Sequence, residues 1–149
     1  MANPPRTSSI KTTSLVQATN GVKCDAESPH RTKVIHVSKA RSLNECIVSI
    51  GFAKSRSNME RALPYFTWFA HRVMKIRMMG SAALALTYVA NGRLDAYIER
   101  GISLWDIAAG ALILECAGGK FWCEATAGNH KFRMIASNGL VHKKLPPPK

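Results

Sequence analysis

Trp105-Asp106-Ile107-Ala108-Ala109-Gly110-Ala111-Leu112-Ile113-Leu114-Glu115-Cys116-Ala117-Gly118-Gly119 reads as one helix with both ends marked. Asp106 stands at its mouth, where a carboxylate accepts hydrogen bonds from the free N–H groups of the first turn, as an N-cap does. That turn also carries partial positive charge and favours anions beside it. Gly118 and Gly119 suit the left-handed conformation that closes a helix. Ala108, Ala109, Gly110 and Ala111 let another backbone come close. An aspartate so placed is either a simple cap or the holder of a metal ion beside a phosphate. The stretch by itself leaves both open.

Outward from it, strand and helix patterns alternate. Residues 46–52 form a mostly apolar run of strand length. Ser57-Asn58 offers an N-cap for a helix reaching about residue 75, with Met59, Leu63, Phe66, Phe69, Ala70, Val73 and Ile76 at helical spacing. Pro64 removes a hydrogen bond from that helix unless it lies near the first turn, which a start at Asn58 roughly permits. The aromatic run Tyr65, Phe66, Trp68 and Phe69 reads as core, not as a platform for stacking bases. A strand at 76–79, a helix at 81–90 closed by Asn91-Gly92 and a strand at 94–99 precede the helix at 105–117. Strands at 120–124 and 132–137 and a short helix at 139–144 follow. Such alternation argues for a layered α/β fold.

The flanks read differently. Residues 1–34 are rich in Ser and Thr, carry Pro4 and Pro5, and have no acidic residue before Asp25. A Ser-rich, acid-poor leader is one reading. Without an amphipathic arginine face, a disordered tail is the preferred one. Residues 143–149 end in Pro146-Pro147-Pro148, which cannot extend a helix, and read as a solvated tail. The globular domain is therefore expected over 35–142.

A chain of 149 residues is long enough for one domain with a substantial core. Its net charge of +12 is unusual; basic chains meet nucleic acid, acidic lipid or anionic metabolites. Cys24, Cys46, Cys116 and Cys123 form no C-x-x-C pair, which reads as reduced thiols, two or three of them buried. The five histidines show no metal-ligand spacing. Arg72, Lys75 and Arg77 read as a solvated basic face. The longest apolar run, near 104–117, is broken by Asp106 and Glu115 and falls short of the 18 or more residues of a membrane span. A cytoplasmic protein is the expectation.

The stretch at 105–119 closely resembles the C-terminal signature of the inositol monophosphatase family: Trp-Asp, two small residues, an aliphatic run, then Glu-Ala-Gly-Gly. Only Cys116 departs, standing where the family usually has Ala. The resemblance continues upstream through Met79-Gly80-Ser81-Ala82-Ala83-Leu84, Tyr88-Val89-Ala90-Asn91-Gly92-Arg93-Leu94-Asp95-Ala96-Tyr97-Ile98-Glu99 and Gly101-Ile102. It begins near Ile35-His36-Val37-Ser38 and ends near Ala136-Ser137-Asn138-Gly139. It implies the C-terminal α/β layers of an αβαβα sandwich and a Mg²⁺-dependent phosphomonoesterase acting on inositol phosphate. By resemblance, Asp106 is a ligand of the second Mg²⁺. Glu99 holds hydroxyls of the substrate ring, where without the family it reads as an exposed partner for Arg100. Ser81 and the main chain of Ala82 contact a ring hydroxyl from a helix start. Ala85 replaces a polar family residue, which questions a local polar contact. Arg100 replaces an apolar one, and its charge is expected to compete for the Glu99 carboxylate.

Two-metal hydrolysis needs several converging carboxylates, and the resemblance puts most of them in an N-terminal Asp-Pro-x-Asp-Gly-Thr motif and a Glu-Glu segment. Neither is present. The nine acidic residues are Asp25, Glu27, Glu45, Glu60, Asp95, Glu99, Asp106, Glu115 and Glu124, no two of them adjacent. The expectation is one half of a phosphatase, without an assigned catalytic residue of its own and silent unless an N-terminal half or a second copy completes it. Loss of an acidic half also accounts for the positive charge. A catalytically dead domain that binds a partner or an anion is the alternative. Nucleic-acid binding ranks last, for want of a recognisable motif.

Overall fold

The structure, a computed structural model, describes residues 34–52, 56–126 and 130–148. The expectations for the N-terminal tail, with Cys24, Asp25, Glu27 and His30, lie outside the described residues. Five strands, β1 (Ile47–Phe52), β2 (Lys75–Arg77), β3 (Ala96–Ser103), β4 (Lys120–Ala125) and β5 (Lys131–Ser137), form one sheet in the order β2-β1-β3-β5-β4. β1 runs parallel to β2 and β3, whereas β5 is antiparallel to β3 and β4. Three helices connect them: α1 (Arg56–Ala70), α2 (Ala82–Ala90) and α3 (Leu104–Cys116).

The path from β1 to β2 moves one way across the sheet, and the path from β2 to β3 moves back over β1. Right-handed crossovers then require the two connecting helices to lie on opposite faces. They do. Phe69, Tyr65 and Trp68 of α1 pack with Val48, Ile50, Ala96, Ile98 and Ile135. Leu86 and Val89 of α2 and Ile107 and Leu114 of α3 pack with Tyr97, Phe132, Met134 and Ala136 on the other face. Gly110 lets α3 approach α2 closely, since a Cβ there would lie 2.7 Å from the Leu86 side chain.

Several boundaries differ from the sequence reading. Asp106 is not the N-cap of α3: the helix starts at Leu104 with Ser103 as cap, so Asp106 is the third helical residue. The Leu104 N–H instead donates to the His130 carbonyl at 3.2 Å, a partner remote in sequence. At the other end Gly118 is left-handed, with φ +86°, and the Gly119 N–H reaches back to the Leu114 carbonyl at 2.9 Å. Helix α1 is shorter than expected and contains Pro64 well past its first turn. It stops at Ala70 because the Cys46 carbonyl captures the N–H groups of Met74 and Lys75 and begins β2. Its apolar stripe also divides: Phe69 is buried, while Met59, Leu63 and Phe66 face outward. β3 runs four residues beyond Glu99 because its pairing with β5 continues past an irregularity at Gly101 to Ser103 opposite Lys131. Of the described cysteines only Cys46 is buried, its thiol pushed up to about 12 by burial and by nearby Asp95. The expected solvated tail is docked: Leu145 and Pro148 are buried. Nearby, Ser137 Oγ lies 2.8 Å from His142 Nδ1, and burial together with Lys120 lowers the His142 pKa to about 4, so this ring is neutral at pH 7.

One buried carboxylate ties the strand origins together. Asp95 accepts from the Ile47 N–H at 2.6 Å and from Ser38 Oγ at 2.5 Å. Its own carbonyl accepts from the Asn138 N–H at 3.0 Å, and Asn138 Nδ2 reaches Ser38 Oγ and the Ala40 carbonyl. Asp95→Ala is expected to lower the unfolding free energy by about 3 kcal/mol, since it strands a backbone N–H and a hydroxyl away from water. Urea unfolding checks this as a lower midpoint at unchanged slope. A loss under about 1 kcal/mol would mean that water replaces the carboxylate.

Candidate active site

In open α/β sheets ligands bind outside the carboxyl ends of the strands, where successive connections leave on opposite faces. Here that place lies between β1 and β3, since the connection after β1 leads to α1 on one face and the connection after β3 leads to α3 on the other. A cavity of ≈ 340 Å³ opens there, lined among others by Ser49, Gly51, Tyr97 and Glu99 from the strands, Gly80, Ser81 and Ala82 at the start of α2, and Asp106 from α3. All four residues singled out from the sequence, Asp106, Glu99, Ser81 and Ala82, line it.

Each is placed by local structure. Ser81 is extended, with φ −144°, and caps α2 by accepting the Leu84 N–H at 3.3 Å. Ala82 begins the helix, whose first N–H groups are free of intrahelical partners. Asp106 sits in the first turn of α3, where the helix dipole favours its negative charge. Glu99 faces the α2–α3 side of the sheet with Tyr97 and, on the paired strand, Ser49 and Gly51; the register sets Gly51 directly beside Glu99.

The Glu99 carboxylate occupies the space that a side chain at position 51 would need, and the Tyr97 hydroxyl donates a hydrogen bond to it. Burial, then the charge of Asp106, push the Glu99 carboxyl up to about 7, against the opposing pull of Lys131. Lys131 is itself held by Ser103 Oγ at 2.8 Å. Arg100 does not capture Glu99, because strand alternation sends it to the opposite face. Ala85 costs no polar contact, since it lies fully buried in apolar core. Trp105 is 71% exposed on the outer side of α3. No layer among the described residues covers that side.

Sequence reasoning missed Gly51, Tyr97 and Lys131. Gly51 carried a signal, as glycine inside a strand often marks a close approach; Tyr97 shares the period-two face of Glu99. Lys131 reaches the site only through the β3–β5 pairing. Among the described residues no three His, Cys, Asp or Glu side chains converge as a metal site. Mg²⁺ demands near-octahedral oxygen ligation, so these residues alone do not fit a resident metal pair.

Residues 1–145 match the sequence model of the inositol monophosphatase family. The chain belongs to that family. An inositol-1-monophosphatase from Synechocystis is 39% identical over 118 residues, covering 74% of this chain and 40% of that protein. A fructose-1,6-bisphosphatase/inositol-1-monophosphatase from Thermotoga maritima is 38% identical over 115 residues, covering 74% and 42%. Among solved structures, the inositol monophosphatase of Anabaena superposes with a TM-score of 0.67 at 38% identity, covering 74% of this chain and 45% of that one. Mycobacterium tuberculosis SuhB superposes at 0.68 with 32% identity, covering 76% and 44%. The α/β sheet and its helices are thus those of an inositol monophosphatase fold, and the chain spans less than half the length of these relatives. The family match reaches further toward the N-terminus than the resemblance read from motifs.

Because the folded Glu99 carboxyl titrates well above an unfolded glutamate, native Glu99 is neutral at pH 4 and carries a buried charge at pH 8. Its contribution to stability is therefore lost as pH rises from about 4.5 to 7. Glu99→Gln is expected to match the parent near pH 4 and to exceed it by about 2 kcal/mol at pH 8, after discounting for partial solvent access. Urea unfolding at the two pH values reads this directly. A difference independent of pH would show that Glu99 is ordinarily solvated.

Proposed function

We propose that this chain is the α/β half of a phosphomonoester hydrolase of inositol phosphates. In this reading Asp106 contributes one ligand to a divalent cation, Mg²⁺ by family resemblance. Glu99 accepts hydrogen bonds from substrate hydroxyls, and Ser81 with the Ala82 main chain holds a further hydroxyl at the start of α2. The observation that carries the reading is that these four residues, drawn from three separate elements, line one cavity at the carboxyl ends of parallel strands.

The same geometry argues that the chain is silent by itself. Asp106 is exposed, as are Ala83, Leu84, Leu104, Trp105, Ala108, Ala109, Ile113 and Cys116 of α2 and α3. A helix apolar all round belongs in an interior. The remaining carboxylates would come from the layer that covers this face, whichever polypeptide carries it. A half-site that binds an anion or a partner without turnover is the alternative, favoured by the lack of a converging metal-ligand group among the described residues.

Two outcomes test this. The purified 149-residue chain with Mg²⁺ is expected to release no phosphate from inositol 1-phosphate above the buffer blank, and Asp106→Asn is expected to change nothing. Turnover abolished by that substitution would overturn the half-enzyme reading. The uncovered face is expected to bind an apolar dye or to drive self-association, both reduced in a Trp105→Ser, Ile113→Ser variant. A monomer that binds no dye would show that the face is not a docking layer.

A further inference from the structure

The chain ends in Leu145-Pro146-Pro147-Pro148-Lys149, and neither the family resemblance nor the proposed chemistry uses this segment. Residues 145, 146 and 147 each precede a proline, which excludes the helical region for all three and holds the segment extended. Leu145 has φ −90° and ψ 128°. A polyproline segment makes no hydrogen bonds within itself, so its carbonyls are free to accept from elsewhere. Two find donors here. The Tyr65 hydroxyl donates to the Pro147 carbonyl, and Arg133 Nη1 donates to the Pro148 carbonyl at 2.9 Å.

The receiving surface is built for such a segment. Pro64, Tyr65 and Trp68 of α1, with Pro146, line a cavity of ≈ 280 Å³. Trp68 is braced on its other sides, with Phe69 edge-on at 4.9 Å and the Arg72 guanidinium 4.6 Å from its ring centre. Arg133 is aimed by Glu124, which accepts from its Nη2 at 2.6 Å, and it lies 5.9 Å from the Trp122 ring. Leu145 anchors the segment in the core shared with Tyr65 and Trp68. Aromatic-lined grooves with one side-chain donor to a peptide carbonyl are how folded domains recognise proline-rich peptides, whose low conformational entropy makes them inexpensive to order. At its far end Pro148 lines a small pocket with Ile50, Phe52, Glu99 and Arg100, on the α1 side of the strand that carries Glu99.

We propose that the Pro64–Tyr65–Trp68 surface of α1 is a proline-recognition groove whose occupant is the chain's own Leu145–Pro148, seated as an intramolecular strap. The strap joins α1 to β5 through Tyr65 and Arg133 and walls off the sheet behind Glu99. Tethering presents the segment to the groove at an effective concentration on the order of millimolar, so it outcompetes weak ligands in solution. This inference does not depend on the proposed phosphatase activity.

The test uses the full-length chain and a full-length variant with Pro146→Gly, Pro147→Gly and Pro148→Gly, which keeps the Leu145 anchor. The probe is a fluorescein-labelled peptide, Lys-Lys-Leu-Pro-Pro-Pro-Lys, followed by anisotropy. The variant is expected to bind it saturably and at least tenfold more tightly than the parent, with binding lost on adding Trp68→Ala and weakened severalfold on adding Tyr65→Phe. The same peptide with glycine for its three prolines is expected not to bind. A chain shortened after Leu145 gives a second reading of the same outcomes. Absence of binding to both the variant and the shortened chain, equal binding to the parent, or indifference to Trp68→Ala would each overturn the proposal.

Discussion

The register between β1 and β3 is the constraint on which the rest of the site depends, and Asp95 sets it. Its carboxylate takes the Ile47 N–H while its own N–H donates to the Ile47 carbonyl, which pins the start of one strand to the start of the other. Every later pair then follows, through Val48 with Ala96 to Gly51 with Glu99. A slip of a single residue would reverse which side chains face the helices, and Phe52 would stand where Gly51 leaves room for a carboxylate. Asp95 is buried and does not line the cavity, yet it helps decide which residue neighbours Glu99.

Much of this architecture was legible in the order of residues, and the failures share a cause. The alternation of strands and helices, the capping Ser81 and the left-handed Gly118 follow from local spacing and local dihedral preference. Asp106 lies three positions past the N-cap instead of at it because the first N–H of α3 is satisfied by His130, a partner no local pattern reveals. β3 extends past the run its own pattern marks because its last residues are held by β5. The proline tail docks instead of being solvated because its acceptors meet Tyr65 and Arg133, distant in the chain. For the site, the residues named from family resemblance lie around one cavity, whereas Gly51 and Lys131 depend on cross-strand pairing that one sequence does not spell out.

The charge distribution fits a domain with one side free of positive charge on its helices. Helices α2 and α3 carry no basic residue, and their only acidic ones are Asp106 and Glu115. The net charge of +12 on the whole chain is therefore borne by other elements and segments. Like charges at close range disfavour contact between copies, so the helical layer is where a second polypeptide layer meets least electrostatic resistance. It is also where the cavity's aspartate stands.

Between Ser103, the last residue of β3, and Leu104, the first of α3, there is no loop at all. Loops absorb inserted residues and drift in sequence and position. Glu99 and Asp106 are instead joined by strand and helix, broken by the irregularity at Gly101, so their separation behaves as a ruler marked in covalent geometry. Thermal motion has little slack to work on there, and one residue inserted at the junction of 103 and 104 would either shift the pairing of β3 with β5 or turn the helix about its axis by roughly 100°. Evolution can retune this site by exchanging side chains, but it has almost no freedom to change its length.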